Sequence, residues 1–338
     1  MIWIWVGFVA FILLLLALDL GVFHRKAHAV GVREAFLWTG VWVVVALLFS
    51  TFVYASYEHH WLGLGAGIDR IDGQLNDGKL AVVKYLTGYV IEWSLSVDNV
   101  FVIAMIFASL GIPARYQHRV LFWGILGALV MRGLMIGVGA QLVARYHWVL
   151  YIFGVFLIVT ALRMAFAGDE DEDPADRWVL RFTRRHFRVT PDYHCQSFFI
   201  RDAAVGLMLT PLAVALVLVE TTDLIFAVDS IPAIFAITTD PFLVATSNVF
   251  AILGLRSLYF ALAHAIDKFR YLKYSLALIL GLVGTKMLVA EWLKEAIGPH
   301  FNAYLLVAVG VILAGGVVVS MVKARGEEGA SAEEGRPS

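Results

Sequence analysis

The feature that most constrains this chain is a series of nine apolar stretches, each long enough to cross a bilayer. A transmembrane helix needs roughly 20 such residues, and the stretches are 2–22, 35–56, 81–109, 120–142, 147–167, 203–237, 243–265, 272–292 and 302–322. Hydrophobic residues make up 60% of the chain and charged residues only 16%, a composition too apolar for a soluble domain. We therefore expect an all-α, polytopic membrane bundle of about nine transmembrane helices over residues 1–322, and we exclude a soluble enzyme.

The connections between the stretches alternate in basic charge. With Lys84, Arg163 and Lys273, which stand near the ends of stretches, assigned to the neighbouring connections, the odd-numbered connections and the C-terminal tail carry 18 of the 26 Lys and Arg residues, and the even-numbered connections carry 5. Basic connections stay in the cytoplasm, so we expect the N-terminus outside and the C-terminus inside a bacterial inner membrane. The net charge of −1 gives no reason to expect a nucleic-acid partner.

Two of the apolar stretches contain acidic residues. The third reads Glu92-Trp-Ser-Leu-Ser-Val-Asp98-Asn99, and the sixth reads Glu220-Thr-Thr-Asp223-Leu-Ile-Phe-Ala-Val-Asp229-Ser230. A charge at the bilayer centre costs about 2.5–3.5 kcal/mol, so such residues are functional candidates. The candidate metal-ligating residues are Glu92, Asp98, Asn99, Glu220, Asp223, Asp229 and Ser230.

The two acidic segments also resemble each other. Aligning Ser-Val-Asp98-Asn99-Val with Ala-Val-Asp229-Ser230-Ile places Glu92 on Asp223. The sequence thus predicts two three-helix repeats, at about 81–167 and 203–292, which insert with opposite orientation as in secondary transporters. Six residues turn a helix by about 600°, leaving the paired acids about 120° apart, so we expect both helices to be broken.

The chemistry of these residues suits a hard divalent cation. The two stretches contain five acids, whereas three bases, Arg132, Arg256 and Lys286, lie deep inside spans. The resulting excess of buried negative charge needs protons or a cation. Neither acidic segment contains Cys or His, and oxygen ligands favour Mn²⁺, Mg²⁺ or Ca²⁺. The alternative is that the acids only form structural ion pairs with these bases.

Three segments resemble the TerC family of integral membrane proteins, named for tellurite resistance. They are Asp19-Leu-Gly-Val-Phe-His24, the segment from Glu92 to Asn99, and Asp223-Leu-Ile-Phe-Ala-Val-Asp229-Ser-Ile-Pro232. The resemblance covers roughly residues 1–322 and is closest to the longer, manganese-exporter type. It implies a nine-helix inner-membrane protein with manganese efflux as its activity, and it puts Glu92, Asp98, Asp223 and Asp229 at the family's acidic positions.

Outside the spans, two segments carry distinct expectations. Arginines at helical spacing with interleaved apolar residues at about 177–189, inside a cytoplasmic loop at 168–202, predict an amphipathic helix on anionic lipid. The tail at 323–338 is rich in Glu and small residues, which predicts disorder.

The function that we expect is export of a divalent cation, most simply Mn²⁺, in exchange for protons. We expect no enzymatic activity and no resident cofactor, because the Gly-x-Gly-Asp signature of an intramembrane aspartyl protease is absent. The alternative function is a metal-binding membrane scaffold for stress (tellurite) resistance complexes, and a homo-oligomer or such membrane partners are compatible with either.

Overall fold

The computed structural model describes residues 2–18, 31–146, 148–166, 190, 197–202, 206–262, 272–290, 292–293 and 301–334. The helices are α1 (Ile2–Leu18), α2 (Val32–Glu58), α3 (Gly78–Ser109), α4 (Ala114–Arg145), α5 (Val149–Phe166), α6 (Pro211–Phe235), α7 (Pro241–Leu253), α8 (Leu255–Leu262), α9 (Leu272–Leu288) and α10 (Phe301–Glu334). A short antiparallel hairpin, β1 (Phe199–Asp202) and β2 (Gly206–Leu209), precedes α6.

The predicted helical membrane bundle is confirmed. Seven helices of the described chain are long and apolar enough to cross a membrane, with α7 and α8 counted together as one span of 22 residues. Helices α1 and α9, at 17 residues each, occupy the remaining two predicted stretches. Many large apolar side chains on α1, α2, α4 and α5 are exposed, as expected where the surrounding solvent is lipid.

The predicted breaks in the two acidic helices are wrong. Helix α3 runs for 32 residues without interruption and begins at Asp77, whose carboxylate accepts a hydrogen bond from the Leu80 backbone N–H at 2.7 Å. Helix α6 is also continuous. Pro211 stands in the first turn, where no amide donor is needed. Pro232 lies inside the helix, three residues before its end at Phe235, and removes one backbone donor there without breaking the helix.

Two boundaries differ from the sequence prediction. The sixth stretch, predicted as helical from residue 203, starts with strand β2, which pairs Leu209 with Phe199 of β1; Gly206 at φ 87° makes the turn into this strand. The last helix continues to Glu334, into the tail predicted to be disordered, and its Ala and Glu residues are good helix formers. The amphipathic helix predicted at 177–189 lies outside the described residues, as do Asp19 and His24.

The packing of α3–α5 against α6–α9 has a reciprocal pattern. Helix α3 packs on α6, α4 on α7 and α8, and α5 on α9, while the contact of α3 with α7 is matched by that of α4 with α6. A two-fold relation between the predicted repeats would generate these pairs. The closest of them, between α5 and α9, has Gly154 facing Gly284, and such small residues let membrane helices approach closely.

The span formed by α7 and α8 lies inside the bundle. Almost all of its residues are buried by protein, whereas α2 and α10 expose most of their surface. This explains why α7 carries Thr246, Ser247 and Asn248 at membrane depth, since lipid would not tolerate them. The polar interior of the bundle is therefore lined by α3, α4, α6 and α7.

Candidate functional site

Arg132 is the centre of the polar interior. It lies in the middle of α4, is 2% exposed, and donates two hydrogen bonds to Asp223 of α6, from Nε to Oδ2 at 3.0 Å and from Nη2 to Oδ1 at 2.7 Å. The same guanidinium forms an ion pair with the fully buried Glu92 of α3. Bidentate pairing of this kind fixes the geometry as well as the charge. Arg132 therefore bridges the two acids that the sequence alignment treats as equivalent.

The neutral residues beside the acids follow the same pairing. The Asn99 side-chain amide of α3 donates to Asp223 Oδ1 at 3.4 Å. Its aligned counterpart, Ser230 of α6, lies beside Glu92 and accepts from Arg132 Nη1 at 3.3 Å. Each repeat thus places one amide or hydroxyl group next to the acid of the other repeat.

The second acid of each motif points elsewhere. Asp229 accepts a hydrogen bond from the Thr160 hydroxyl of α5 at 3.1 Å and interacts electrostatically with Arg163. Asp98 interacts electrostatically with Lys273, near the start of α9. Within the described residues, neither Asp98 nor Asp229 is hydrogen-bonded to Arg132, although both line a small cavity with it.

Glu220 lies one turn before Asp223 and packs against α4. Its carboxylate contacts Gly127, and a Cβ atom added at Gly127 would overlap it. The Oε2 atom of Glu220 is buried without a hydrogen-bond partner. A glycine at this position of α4 is therefore what allows a fifth acid to lie inside the bundle.

This contact yields a test with a matched control on the same helix. We expect Gly127→Ala to lower the stability of the folded protein by about 1–3 kcal/mol, because the new methyl group displaces the carboxylate into packed surroundings. Gly133→Ala, where nothing lies within 4 Å of the added Cβ atom, should be neutral or slightly stabilising. Thermal unfolding in detergent measures both, and equal melting temperatures for the two variants would contradict the contact.

Two small cavities lie on either side of the Arg132 cluster. One, of about 10 Å³, is lined by Glu92, Asp98 and Asp229 together with Asn99 and Ser230. The other, of about 20 Å³, is lined by Asn99, Thr222 and Asp223 and otherwise mainly by apolar side chains. Each has room for about one water-sized occupant. The first cavity brings acids from both repeats to one place.

Some oxygen atoms around these cavities lack a hydrogen-bond donor. Within the described residues, Glu92 Oε2 and Asn99 Oδ1 are buried and without a partner. A buried oxygen left unsatisfied costs roughly 1–3 kcal/mol. Acceptors of this kind are available to a bound cation or to water.

The predicted ligands do not form one ready-made metal site. In the part of the chain that the structure describes, no three His, Cys, Asp or Glu side chains are close enough together to hold an ion. The physical reason is that Arg132 lies between Glu92 and Asp223, and that Asp98 and Asp229 meet Glu92 only around the small cavity. The metal-ligand assignment therefore stays a prediction.

A second polar cluster was missed in the sequence. Lys84 of α3 forms ion pairs with Asp69 and Asp72 of the α2–α3 connection, and Lys286 of α9 lies nearby, bonded to Asn302 of α10. In the count of basic residues, Lys84 is included with the second connection, although it lies inside the stretch 81–109. Its place in an apolar stretch is the signal that could have found this cluster.

The comparisons with known proteins agree with the membrane fold. The family model described as "Integral membrane protein TerC family" matches residues 77–328, and no solved structure gives a significant match. The chain is 44% identical over 322 residues to the "Uncharacterized membrane protein STKORF319" of Myxococcus xanthus, covering 95% of this chain and 93% of that protein.

Two further relatives cover nearly as much. The chain is 41% identical over 290 residues to the "Putative membrane-bound redox modulator Alx" of Escherichia coli (strain K12), covering 86% of each protein. It is 37% identical over 319 residues to an "Uncharacterized membrane protein" of Rickettsia felis, covering 94% of this chain and 97% of the relative. The match to these relatives thus includes the acidic helices and the connections between them.

Proposed function

Because the chain belongs to the TerC family of integral membrane proteins, we propose that it is a membrane transporter that exports a divalent cation, most simply Mn²⁺, in exchange for protons. The observation that carries this proposal is the set of four acids, Glu92, Asp98, Asp223 and Asp229, that line the two small cavities beside one positive charge, that of Arg132. Two of the acids, Glu92 and Asp223, share that one positive charge. The surplus carboxylates and the unpartnered oxygens suit a bound cation.

Arg132 has a defined part in this mechanism. With no ion bound, its guanidinium bridges Glu92 and Asp223, offsets one of their two negative charges and keeps the two repeats together. A divalent ion that enters the cavity lined by Glu92, Asp98 and Asp229 competes with the guanidinium for Glu92. The carboxylates then exchange one positively charged partner for another, so the cluster is never left without a counter-charge in a low-dielectric interior.

The choice of ion follows from the ligand atoms. Helices α3 and α6 contain neither Cys nor His, and their carboxylate, amide and hydroxyl oxygens are hard ligands. Such ligands suit Mn²⁺, Mg²⁺ and Ca²⁺ better than Zn²⁺ or Cu⁺. Among the three, manganese is the ion that the family resemblance implies.

Proton coupling follows from the membrane potential. Moving two positive charges outward against an inside-negative potential costs about 4.6 kcal/mol per 100 mV. Incoming protons can offset this cost if the same carboxylates carry them inward. We therefore propose antiport, with Asp98 and Asp229 as the acids that exchange metal for protons, since neither is paired with Arg132.

Several relatives are named putative membrane-bound redox modulators, which suggests thiol redox chemistry as a second function. A dithiol–disulfide cycle within one chain needs two thiols, and this chain has one cysteine, Cys195. The more direct rival is therefore a membrane scaffold that binds metal without moving it. Binding and flux must be measured separately to distinguish the two.

The decisive experiment measures Mn²⁺ flux in proteoliposomes that contain only this protein. We expect flux that depends on an imposed proton gradient and disappears with a protonophore, compared with protein-free liposomes. Binding of Mn²⁺ to the detergent-solubilised protein is measured in parallel. Binding without flux would support the scaffold, and the absence of both would refute a metal function altogether.

A further inference from the structure

The second polar cluster lies at the end of the bundle where the α2–α3 connection folds over the helices. Lys84 Nζ lies 2.8 Å from Asp69 Oδ2, 2.8 Å from Asp72 Oδ2 and 2.6 Å from the side-chain oxygen of Asn76. The Lys84 and Asp69 side chains are fully buried, and that of Asp72 is 13% exposed. A lysine in α3 is thus completely enclosed by the connection that precedes it.

The same cluster reaches the second repeat through Asp69. Its carboxylate accepts hydrogen bonds from the hydroxyl of Thr238, and from the hydroxyl and the backbone N–H of Thr239 at 3.0 and 3.1 Å. Both threonines lie in the connection between α6 and α7. Asp69 therefore ties α3 of the first repeat to the end of α6 in the second.

A second lysine extends the network. Lys286 Nζ of α9 donates to the Ala236 carbonyl at 2.7 Å and to the Asn302 side-chain oxygen at 3.2 Å. The Asn302 amide in turn donates to Asp72 Oδ2 at 3.0 Å. We refer to Asp69, Asp72, Lys84 and Lys286 together as the lock, because they join α3, α9, α10 and the α6–α7 connection at one place.

Lys84 and neighbouring donors keep Asp69 of the lock ionised. Burial by itself would raise the pKa of the Asp69 carboxyl, but the charge of Lys84 and the hydrogen bonds from Lys84, Thr238 and the Ile71 backbone hold that pKa below its usual value. The Asp69 carboxylate thus stays charged and forms a buried ion pair with Lys84. Removing one partner of such a buried pair is strongly unfavourable, because the other charge stays buried and uncompensated.

An apolar layer separates the lock from the Arg132 cluster. Gly88 lies in α3 four residues after Lys84 and four before Glu92, and it packs directly against Ser247 of α7 and Ile234 of α6. The neighbouring side chains of Ile91, Ala233 and Ile237 are fully buried. An ion leaving the acidic site toward the α2–α3 connection must pass through this layer, which opens only if α3 and α6 separate.

We infer that the lock is the gate that closes the acidic site from the side of the α2–α3 connection. This inference rests on the proposed transport function, in which the two repeats rock and expose one central site to each side in turn. Asp69 of the lock joins the two repeats through its hydrogen bonds from Thr238 and Thr239, and Lys84 holds Asp69 in place, so these bonds must break before the repeats separate at this end. The distribution of Lys and Arg residues predicts that this end of the bundle lies outside the membrane. On that orientation, the acidic site in the structure is closed to the outside.

The test measures access to Ser247 rather than transport. In a Cys195→Ser background, which removes the only cysteine of the chain, Ser247→Cys places one thiol between the lock and the Arg132 cluster. A membrane-impermeant cationic thiol reagent is applied to right-side-out and to inside-out vesicles. With the lock intact, we expect slow labelling from the outside, because Ser247 is 1% exposed.

Breaking the lock should open this path from one side. Asp69→Asn leaves Lys84 without one of its two carboxylates, and we expect labelling from the outside to rise about tenfold or more, with a much smaller change from the inside. Thr238→Val removes one hydrogen bond to the charged Asp69 carboxylate and should give a rise of about tenfold, the change that a hydrogen bond to a charged group typically makes. It keeps the test possible if Asp69→Asn does not fold. The matched control is Asp77→Asn, an exposed acid of the same connection that only caps α3.

A conservative variant separates a gate from a general loss of structure. Thr238→Ser keeps the hydroxyl group that donates to Asp69 and should be labelled at the slow rate of the intact lock. If Asp69→Asn and Thr238→Val are both labelled at the rate of the intact lock, or if labelling rises equally from both sides, the lock is only a structural staple and the inference is wrong. Because no metal is present, a rise from the outside would support the gate even if Mn²⁺ flux were absent.

Discussion

Replacing Arg132 by methionine is expected to destabilise the folded protein by about 3–5 kcal/mol, the usual penalty for removing one partner of a buried ion pair. The reason is that Glu92 and Asp223 lose their shared guanidinium and remain buried beside each other. Thermal unfolding in detergent measures the loss. Arg145→Met is the matched control, because Arg145 is exposed at the end of the same helix and its loss should change stability by no more than about 0.5 kcal/mol.

The same variant tests whether the guanidinium and the metal ion occupy equivalent places. An ion that binds only the folded state stabilises it in proportion to its affinity, and in Arg132→Met it no longer competes with the guanidinium. We therefore expect Mn²⁺ to raise the melting temperature of Arg132→Met more than that of the wild type. Equal shifts would show that the ion does not replace Arg132, and a normal melting temperature without metal would contradict the ion-pair geometry.

Neutralising Asp98 or Asp229 is expected to abolish Mn²⁺ flux while leaving the fold intact. Asp98→Asn and Asp229→Asn remove one negative charge each from the cavity that both acids line, and we expect flux in proteoliposomes to fall by about 100-fold or more, since a hard cation loses a charged ligand. Neither acid is bonded to Arg132, and the asparagine oxygen at 229 can still accept the Thr160 hydrogen bond. Melting temperatures should therefore stay close to that of the wild type.

These two positions give a cleaner test than the other two acids. Glu92→Gln and Asp223→Asn would each remove a partner of Arg132 and would confuse lost binding with lost stability. Asp77→Asn, in the exposed connection before α3, serves as the control for charge alone and should transport normally. Normal flux by Asp98→Asn or Asp229→Asn would refute the site assignment even if the wild type is a transporter.

The alignment of the two acidic motifs anticipated part of the site. It equated Glu92 with Asp223 from a few residues of sequence, and the structure joins these two side chains through Arg132. The basic partner was not predictable, because Arg132, Arg256 and Lys286 are all single bases in apolar stretches. Which of them meets the acids depends on how α4, α8 and α9 are rotated and packed.

The error about broken helices has a related cause. A break would be needed only if the two acids of one motif bound the same ligand. In the structure they have different charged partners instead, because Glu92 forms an ion pair with Arg132 and Asp98 interacts electrostatically with Lys273. Convergence between helices, rather than a break within one helix, brings charges from the two repeats together.

The helical membrane architecture and the presence of acids within its spans could be determined from the sequence alone. A bilayer acts on each stretch separately, so length and local composition decide whether that stretch becomes a membrane helix. The lock could not be found in this way, because it joins residues as distant as Asp72 and Asn302, 230 positions apart. Only tertiary packing sets the distances between helices, and ion pairing depends on those distances.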